Sequence, residues 1–165
     1  MHTPRALLLA ASIALATSFV SFATSAYGED AEASSTTGGT SLILFTDVER
    51  QTSEFLGYGK TIKLTPEQEK IKEAALGSIK AVCCKDFSAL TCCCPCNFSK
   101  AMWGMSAYLI AEKGATAAQV KEAAHEWIRF VNPKGFSGDA CFTGGCSRPF
   151  AENGCGGMNE DDVQF

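Results

Sequence analysis

The sequence has little of what several common protein functions require. Its 165 residues include only two histidines, His2 and His125. With a single histidine after the N-terminal segment, the sequence gives no argument for a Ser-His-Asp or Cys-His relay. There is no basic run and the formal net charge is −4, which argues against nucleic acid as a partner. After residue 26 no apolar run is long enough to cross a bilayer. Cysteine is the exception, because the chain has nine.

The N-terminal residues have the layout of a secretory signal peptide. Arg5 provides a positive start, residues 6–23 are uncharged and mostly apolar, and Thr24-Ser25-Ala26 offers small side chains for cleavage. We expect a signal peptide over 1–26 and a small, polar, flexible linker over 27–40. An uncleaved anchor is the alternative, because about 18 apolar residues can just span a bilayer. Export predicts a periplasmic or extracellular protein, without a membrane contact after cleavage, in a compartment where disulfide bonds persist.

A first helix is predicted directly before the cysteines. Thr65 can cap it and Pro66 fits its first position. Apolar residues then recur at helical spacing as far as Val82. We therefore expect a helix from Pro66 to Val82 that brings Cys83 and Cys84 to its C-terminal end.

Two more helices are predicted after the cysteine cluster. The apolar residues from Phe98 to Leu109 follow helical spacing, and Gly114 marks the end of that helix. Thr116 starts a capping box for the third helix, which Asn132-Pro133 stops. Because the connection between these two helices is short, they should pack antiparallel.

These elements predict a mainly α fold, a three-helix domain with an irregular Cys/Gly-rich C-terminal segment. The helical domain covers 41–134 and contains a Cys-rich loop. The run at 41–45 is compatible with a strand or a helical turn. Residues 135–165 are rich in glycine and have no helical or strand period. We therefore expect crosslinked or metal-bound cysteines to hold this tail on the helical domain.

One interpretation of the cysteines is a disulfide scaffold. An odd number means that at least one thiol is unpaired or pairs with another molecule. In this interpretation, disulfide bonds join the C-terminal tail to the end of the first helix or to the Cys-rich loop. The structural disulfide candidates are Cys83, Cys84, Cys141, Cys146 and Cys155. A purely structural, non-catalytic domain is therefore one of three hypotheses.

A second interpretation is thiol–disulfide exchange by the C-x-P-C element at Cys93–Cys96. If Cys94 lies near the N-cap and Pro95 in the first helical position, the helix N-terminus stabilises a thiolate. Cys93 would attack and Cys96 would resolve the mixed disulfide. If the protein is an enzyme, it is then a thiol–disulfide oxidoreductase whose partner is a thiol-containing exported protein.

A third interpretation is binding or delivery of a soft metal, because thiolates and thioethers select Cu(I) and similar ions. No cofactor is certain; copper and zinc are the candidates, and a metal-accepting exported protein is the partner. A zinc site could combine Cys83 and Cys84 with Cys93 and Cys96. The candidate metal ligands are Cys92, Cys93, Cys94, Cys96, Met102 and Met105.

Residues 66–135 resemble the CcmH-type thiol reductases of cytochrome c maturation. Those are exported three-helix domains with a C-x-x-C pair between the first two helices, and Cys93 and Cys96 fall on that pair. Asn97 follows where glutamine is usual, and residues 113–116 resemble the tight turn of the family. The chain departs from the pattern in several features: Thr91-Cys92 replaces Leu-Arg, and the proline comes one residue later. The loop also has extra cysteines, the glycine-rich tail has no counterpart in the family, and the C-terminal anchor of the family is not found. The resemblance implies an exported helical thiol protein.

Overall fold

The computed structural model describes residues 41–136 and 144–165. These residues form four α-helices, and they contain no β-strand. The mainly α class with an irregular Cys/Gly-rich C-terminal segment is therefore confirmed. Three helices were predicted, and the described residues contain four. The predicted signal peptide, the linker and Cys141 lie outside the described residues. The helices are α1 (Val48–Thr61), α2 (Pro66–Leu76), α3 (Asn97–Lys113) and α4 (Ala117–Val131), followed by 3-10 turns at Gly145–Ser147 and Phe150–Glu152.

Helix α1 is the element that the sequence pattern did not predict. Asp47 caps it by accepting a hydrogen bond from the backbone N–H of Arg50 at 2.9 Å. Its buried face carries the polar residues Gln51 and Thr52 beside Phe55 and Leu56, which hides the apolar period. On this buried face, the Gln51 carboxamide makes hydrogen bonds where an apolar side chain would make packing contacts. It accepts from the N–H groups of residues 46 and 47 and donates to the carbonyl of residue 44, which fixes the segment before the helix.

Helix α2 begins as predicted but ends earlier. Thr65 and Gln68 form a complete capping box, with Pro66 at the first position. The predicted end at Val82 is wrong, because the helix stops at Leu76 and Gly77 caps it. Beyond that point the backbone pairs across the loop in an isolated antiparallel bridge. Glycine weakens the helix here, and the bridge offers the following residues a different set of hydrogen bonds.

The turn between α3 and α4 has the predicted local structure. Gly114 adopts a left-handed conformation with φ 62°, which favours glycine, and ends α3. The N–H of Ala115 then donates to the carbonyl of Leu109 at 3.0 Å. Thr116 and Gln119 form the capping box of α4. The glycine and the capping box are both local sequence features, and together they are sufficient to predict this turn.

Helices α1 and α3 pack with their backbones close together. Gly59 and Gly104 lie at the crossing, where a Cβ on Gly104 would be 1.9 Å from the carbonyl oxygen of Phe55. Beside the crossing, Phe55 makes an edge-to-face contact with the fully buried Trp127 of α4, with ring centroids 5.1 Å apart. Phe45 also packs against Trp127, with centroids 5.4 Å apart. This core fixes the axis of α3, whose first residues support the cysteine cluster.

The described part of the tail packs on the N-terminus of α3. The N–H groups of Asn97 and Phe98 donate to the carbonyls of Gly157 and Cys155 at 2.8 and 3.1 Å. The buried Asn97 carboxamide donates to the carbonyls of Gly156 and Asn159, both at 2.8 Å. The tail therefore satisfies donors that a helix N-terminus leaves without an intrahelical partner.

Glu160 adds an ionic contact between the tail and two helices. Its carboxylate lies 2.9 Å from Lys60 Nζ on α1 and 3.0 Å from Lys100 Nζ on α3. The hydrogen bond from Lys60, followed by that from Lys100, holds the pKa of Glu160 below its ordinary value of 4.5. The ionised form is thus favoured in the folded protein.

We expect the contribution of Glu160 to stability to depend on pH. Because its pKa is lowered on folding, that contribution is complete above pH 4.5 and is lost as the pH falls through the lower folded value. Urea unfolding of the wild type and of Glu160→Gln should give different midpoints well above pH 4.5. The two midpoints should converge well below it, and a constant difference across that range would contradict the assignment.

Candidate thiol and metal site

The loop between α2 and α3 carries most of the cysteines and is held in place at two points. The bridge between Lys80 and Ser88 closes it, with the N–H of Ala89 donating to Ile79 at 2.8 Å. The indole N–H of Trp103 on α3 donates to the carbonyl of Ala89 at 2.8 Å. These contacts bring the end of the loop back to α3, so that the cysteines after α2 meet those before α3.

Helix α3 begins directly after the cysteine cluster. The N-cap is Cys96, and the first helical residue is Asn97, so the arrangement considered for Cys94 near the N-cap with Pro95 in the first helical position does not form. The N–H of Cys96 instead donates to the carbonyl of Cys94 at 2.8 Å, across Pro95, as in a tight γ-turn. The sulfur at the helix N-terminus is therefore that of Cys96.

Three sulfurs lie close enough to share one ion. The Sγ atoms of Cys83, Cys92 and Cys94 all lie within 4.8 Å of one another, and those of Cys83 and Cys92 are 3.6 Å apart. We call these residues the thiol triad. Cys83 is buried, whereas Cys92 and Cys94 are half-buried. Cys146 of the tail adjoins the triad, with its Sγ 2.8 Å from that of Cys94.

Cys92 and Cys83 of the triad also belong to a ring of hydrogen-bonded thiols that Cys96 and Cys155 complete. Hydrogen bonds from Cys155 and Cys92 lower the pKa of Cys96 well below its ordinary value, despite its burial. The hydrogen bond with Cys83, then that with Cys96, raises the pKa of Cys92. For Cys155, the contact with Cys83 lowers the pKa, but the one with Cys96 and burial outweigh it and the net pKa is raised. Among Cys92, Cys96 and Cys155, Cys96 is the ring thiol whose pKa is lowered, because its neighbours donate hydrogen bonds to it.

Cys93 lies at the protein surface beside two other cysteines. It is exposed, and its Sγ lies 3.8 Å from that of Cys94. It also contacts Cys84, which is buried. Burial raises the pKa of Cys84, and the hydrogen bond with Cys93 adds to this increase. Of the predicted exchange pair, Cys93 lies at the surface, whereas Cys96 is fully buried against Cys92 and Cys155.

The two methionines predicted as metal ligands lie on the buried side of α3. Met105 is completely buried in the core, and Met102 lines a small cavity together with Cys92.

No two of the eight described cysteine sulfurs lie at disulfide bonding distance, so the structural disulfide bonds stay a prediction. The tail cysteines nevertheless approach the loop, Cys146 at Cys94 and Cys155 at Cys83 and Cys96.

The sequence interpretation missed one role. It assigned Cys83 to the staples and to an alternative zinc set, whereas the structure places it in the thiol triad. No local pattern could reveal this, because Cys83 and Cys92 come together only through the bridge that closes the loop. The sequence showed only that Cys83 and Cys84 are adjacent at the end of a helical pattern, which marks them as candidates without naming their neighbours in the fold.

The clustered cysteines support thiol chemistry or metal binding. None of the helices within 41–136 and 144–165 is both long and apolar enough to span a membrane. Comparison of the chain with protein-family models, with curated proteins and with solved structures gives no match.

Proposed function

We propose that this protein binds a soft metal ion of the Cu(I) type, and that it does so after export from the cytoplasm. The observation that supports this most directly is the thiol triad, whose three sulfurs lie within 4.8 Å of one another. Three sulfurs in a plane around an ion, each at about 2.3 Å, would be about 4.0 Å apart. Small movements of the Cys83, Cys92 and Cys94 side chains would reach that spacing.

The donor set favours a soft ion. All three ligands are sulfurs, and thiolates select Cu(I) over hard ions that prefer oxygen. A structural zinc site needs four ligands. Cys146 adjoins Cys94 and Cys96 adjoins Cys92, but no fourth sulfur of the described residues lies within 4.8 Å of all three triad sulfurs. Burial of Cys83 keeps one side of the site away from water.

Metal stoichiometry tests the proposal. The reduced protein, loaded with Cu(I) and freed of excess ion, should carry at least one equivalent by native mass spectrometry. Cys83→Ser and Cys92→Ser should each weaken binding at least about tenfold, because each removes one of three ligands. Cys93→Ser is the matched control and should retain the ion, because Cys93 is outside the triad. Wild-type protein without copper, or equal losses in all three variants, would contradict the proposal.

A second candidate function is thiol–disulfide exchange, which the exposure of Cys93 favours. An exposed thiol in contact with another thiol has the access that exchange requires. Cys84 and Cys94 are both neighbours of Cys93, so either could resolve a mixed disulfide. The resemblance to the CcmH-type reductases belongs to this candidate. Here Cys93→Ser would abolish exchange, whereas the metal function would survive it.

A further inference from the structure

A groove away from the cysteines has the properties of a small-molecule site. It encloses about 470 Å³, which is within the range of ligand pockets. Its walls come from the C-terminal end of α1, the connection to α2, α2 itself, α3 and the tail. Gly59 contributes to the groove next to the place where α1 crosses α3 at Gly104. Several elements thus converge on one concave surface.

The floor of the groove is apolar. Leu56 and Ala107 contribute nearly buried side chains, and Ile62 and Leu64 extend the surface toward solvent. The ring of Trp103 forms part of one wall, and its N–H is already engaged with the carbonyl of Ala89. The indole therefore presents a fixed flat surface to an apolar group.

The rim of the groove is positively charged. Four lysines and two glutamates line it, an excess of two positive charges on a protein of net charge −4. Lys72 and Lys100 are mostly buried, with side-chain exposures of 19% and 23%. Among the described residues no carboxylate lies within ion-pair distance of Lys63. Lys72 pairs with Glu69 at 3.6 Å, Glu160 is shared by Lys60 and Lys100, and Lys60 also lies 3.8 Å from the exposed Asp161. The local charge is thus opposite in sign to that of the whole chain.

We propose that this groove binds a small anionic amphiphile, a free carboxylate with an apolar body. The apolar body lies on Trp103, Leu56 and Ala107, and the carboxylate lies between Lys63 and Lys72. Glu69 holds Lys72, and Glu160 neutralises the neighbouring Lys60 and Lys100. Removal of Glu160 makes the rim more positive and therefore strengthens binding. The site is independent of the thiol triad and needs no metal.

Calorimetric titration of the full chain with decanoate tests the groove. Wild-type protein should bind one equivalent, and the affinity should fall as salt is added, because exposed charges are screened. The double variant Lys63→Gln/Lys72→Gln should bind about fivefold more weakly, as expected for two partly exposed ion pairs. Glu160→Gln should bind more tightly. Weaker binding by the lysine variant and tighter binding by Glu160→Gln would together indicate binding in the groove, because a loss of folding would weaken binding in both variants.

Lys113→Gln is the matched control, because Lys113 packs over Tyr108 at the other end of α3 and is outside the groove. It should leave decanoate binding unchanged. An equal loss in this variant would attribute binding to overall charge and overturn the proposal. So would the absence of decanoate binding, or binding to phosphatidylglycerol vesicles without binding of free decanoate.

Discussion

Gly104→Ala is expected to destabilise the protein by about 3 kcal/mol, at the upper end of the range for overpacking. The added methyl carbon would lie 1.9 Å from the Phe55 carbonyl oxygen and 2.8 Å from the Gly59 nitrogen. Both are backbone atoms of α1, so no side-chain rotation can relieve the clash. Helices α1 and α3 would have to separate, and the contact of Phe55 with Trp127 would loosen with them. Urea unfolding followed by circular dichroism measures the change.

Gly57→Ala provides the matched control, because it makes the same substitution on α1. A Cβ on Gly57 meets nothing within 4 Å. Alanine is favoured over glycine inside a helix by about 0.5–1 kcal/mol, so this variant should be more stable than the wild type. Effects of the same sign in the two variants would show that the close approach of α1 and α3 is not what requires Gly104.

The parts of the fold that were predictable are those with local causes. The capping residues Thr65 and Thr116 and the left-handed Gly114 each act within one helical turn, and the structure places helix ends at all three. Helix α1 escaped prediction because Gln51 occupies its buried face and is satisfied by backbone groups that precede the helix. A polar residue in that position interrupts the apolar period from which helices are recognised.

The register of α3 and the membership of the thiol triad depend on distant contacts. The first N–H groups of α3 are taken by carbonyls of Cys155 and Gly157, so the tail has a part in setting where the helix begins. Similarly, Cys94 meets Cys146, and these residues are 52 positions apart. Many pairings of nine cysteines are possible, and only the folded backbone selects among them. A dense cysteine loop is therefore visible in the sequence, whereas its geometry is not.

Asn97 connects the tail to both candidate sites. Its carboxamide holds the carbonyls of Gly156 and Asn159. The residue before this pair is Cys155, which lies in the thiol ring, and the residue after it is Glu160, which lies on the rim of the groove. A single buried side chain thus positions a sulfur on one side and a carboxylate on the other.

Asn97→Ala should therefore release the tail as well as destabilise the protein. It leaves two backbone carbonyls without their donor, and each loss costs about 1–1.5 kcal/mol, for a total of about 2–3 kcal/mol. Hydrogen exchange of the backbone amides in 154–164 should accelerate relative to that of α4. Cys155, which is fully buried in the wild type, should become reactive toward thiol reagents in the native state.

Asn159→Ala is the control for this prediction. Its side chain is exposed and accepts one local hydrogen bond, from the N–H of Asp161 at 3.1 Å, while its backbone carbonyl remains available to Asn97. Such a surface change should alter the free energy of unfolding by no more than about 0.5 kcal/mol and leave Cys155 protected. If the two variants exposed Cys155 equally, the tail would be held by the cysteine contacts or by the ion pairs of Glu160, and the carboxamide of Asn97 would not be its main attachment.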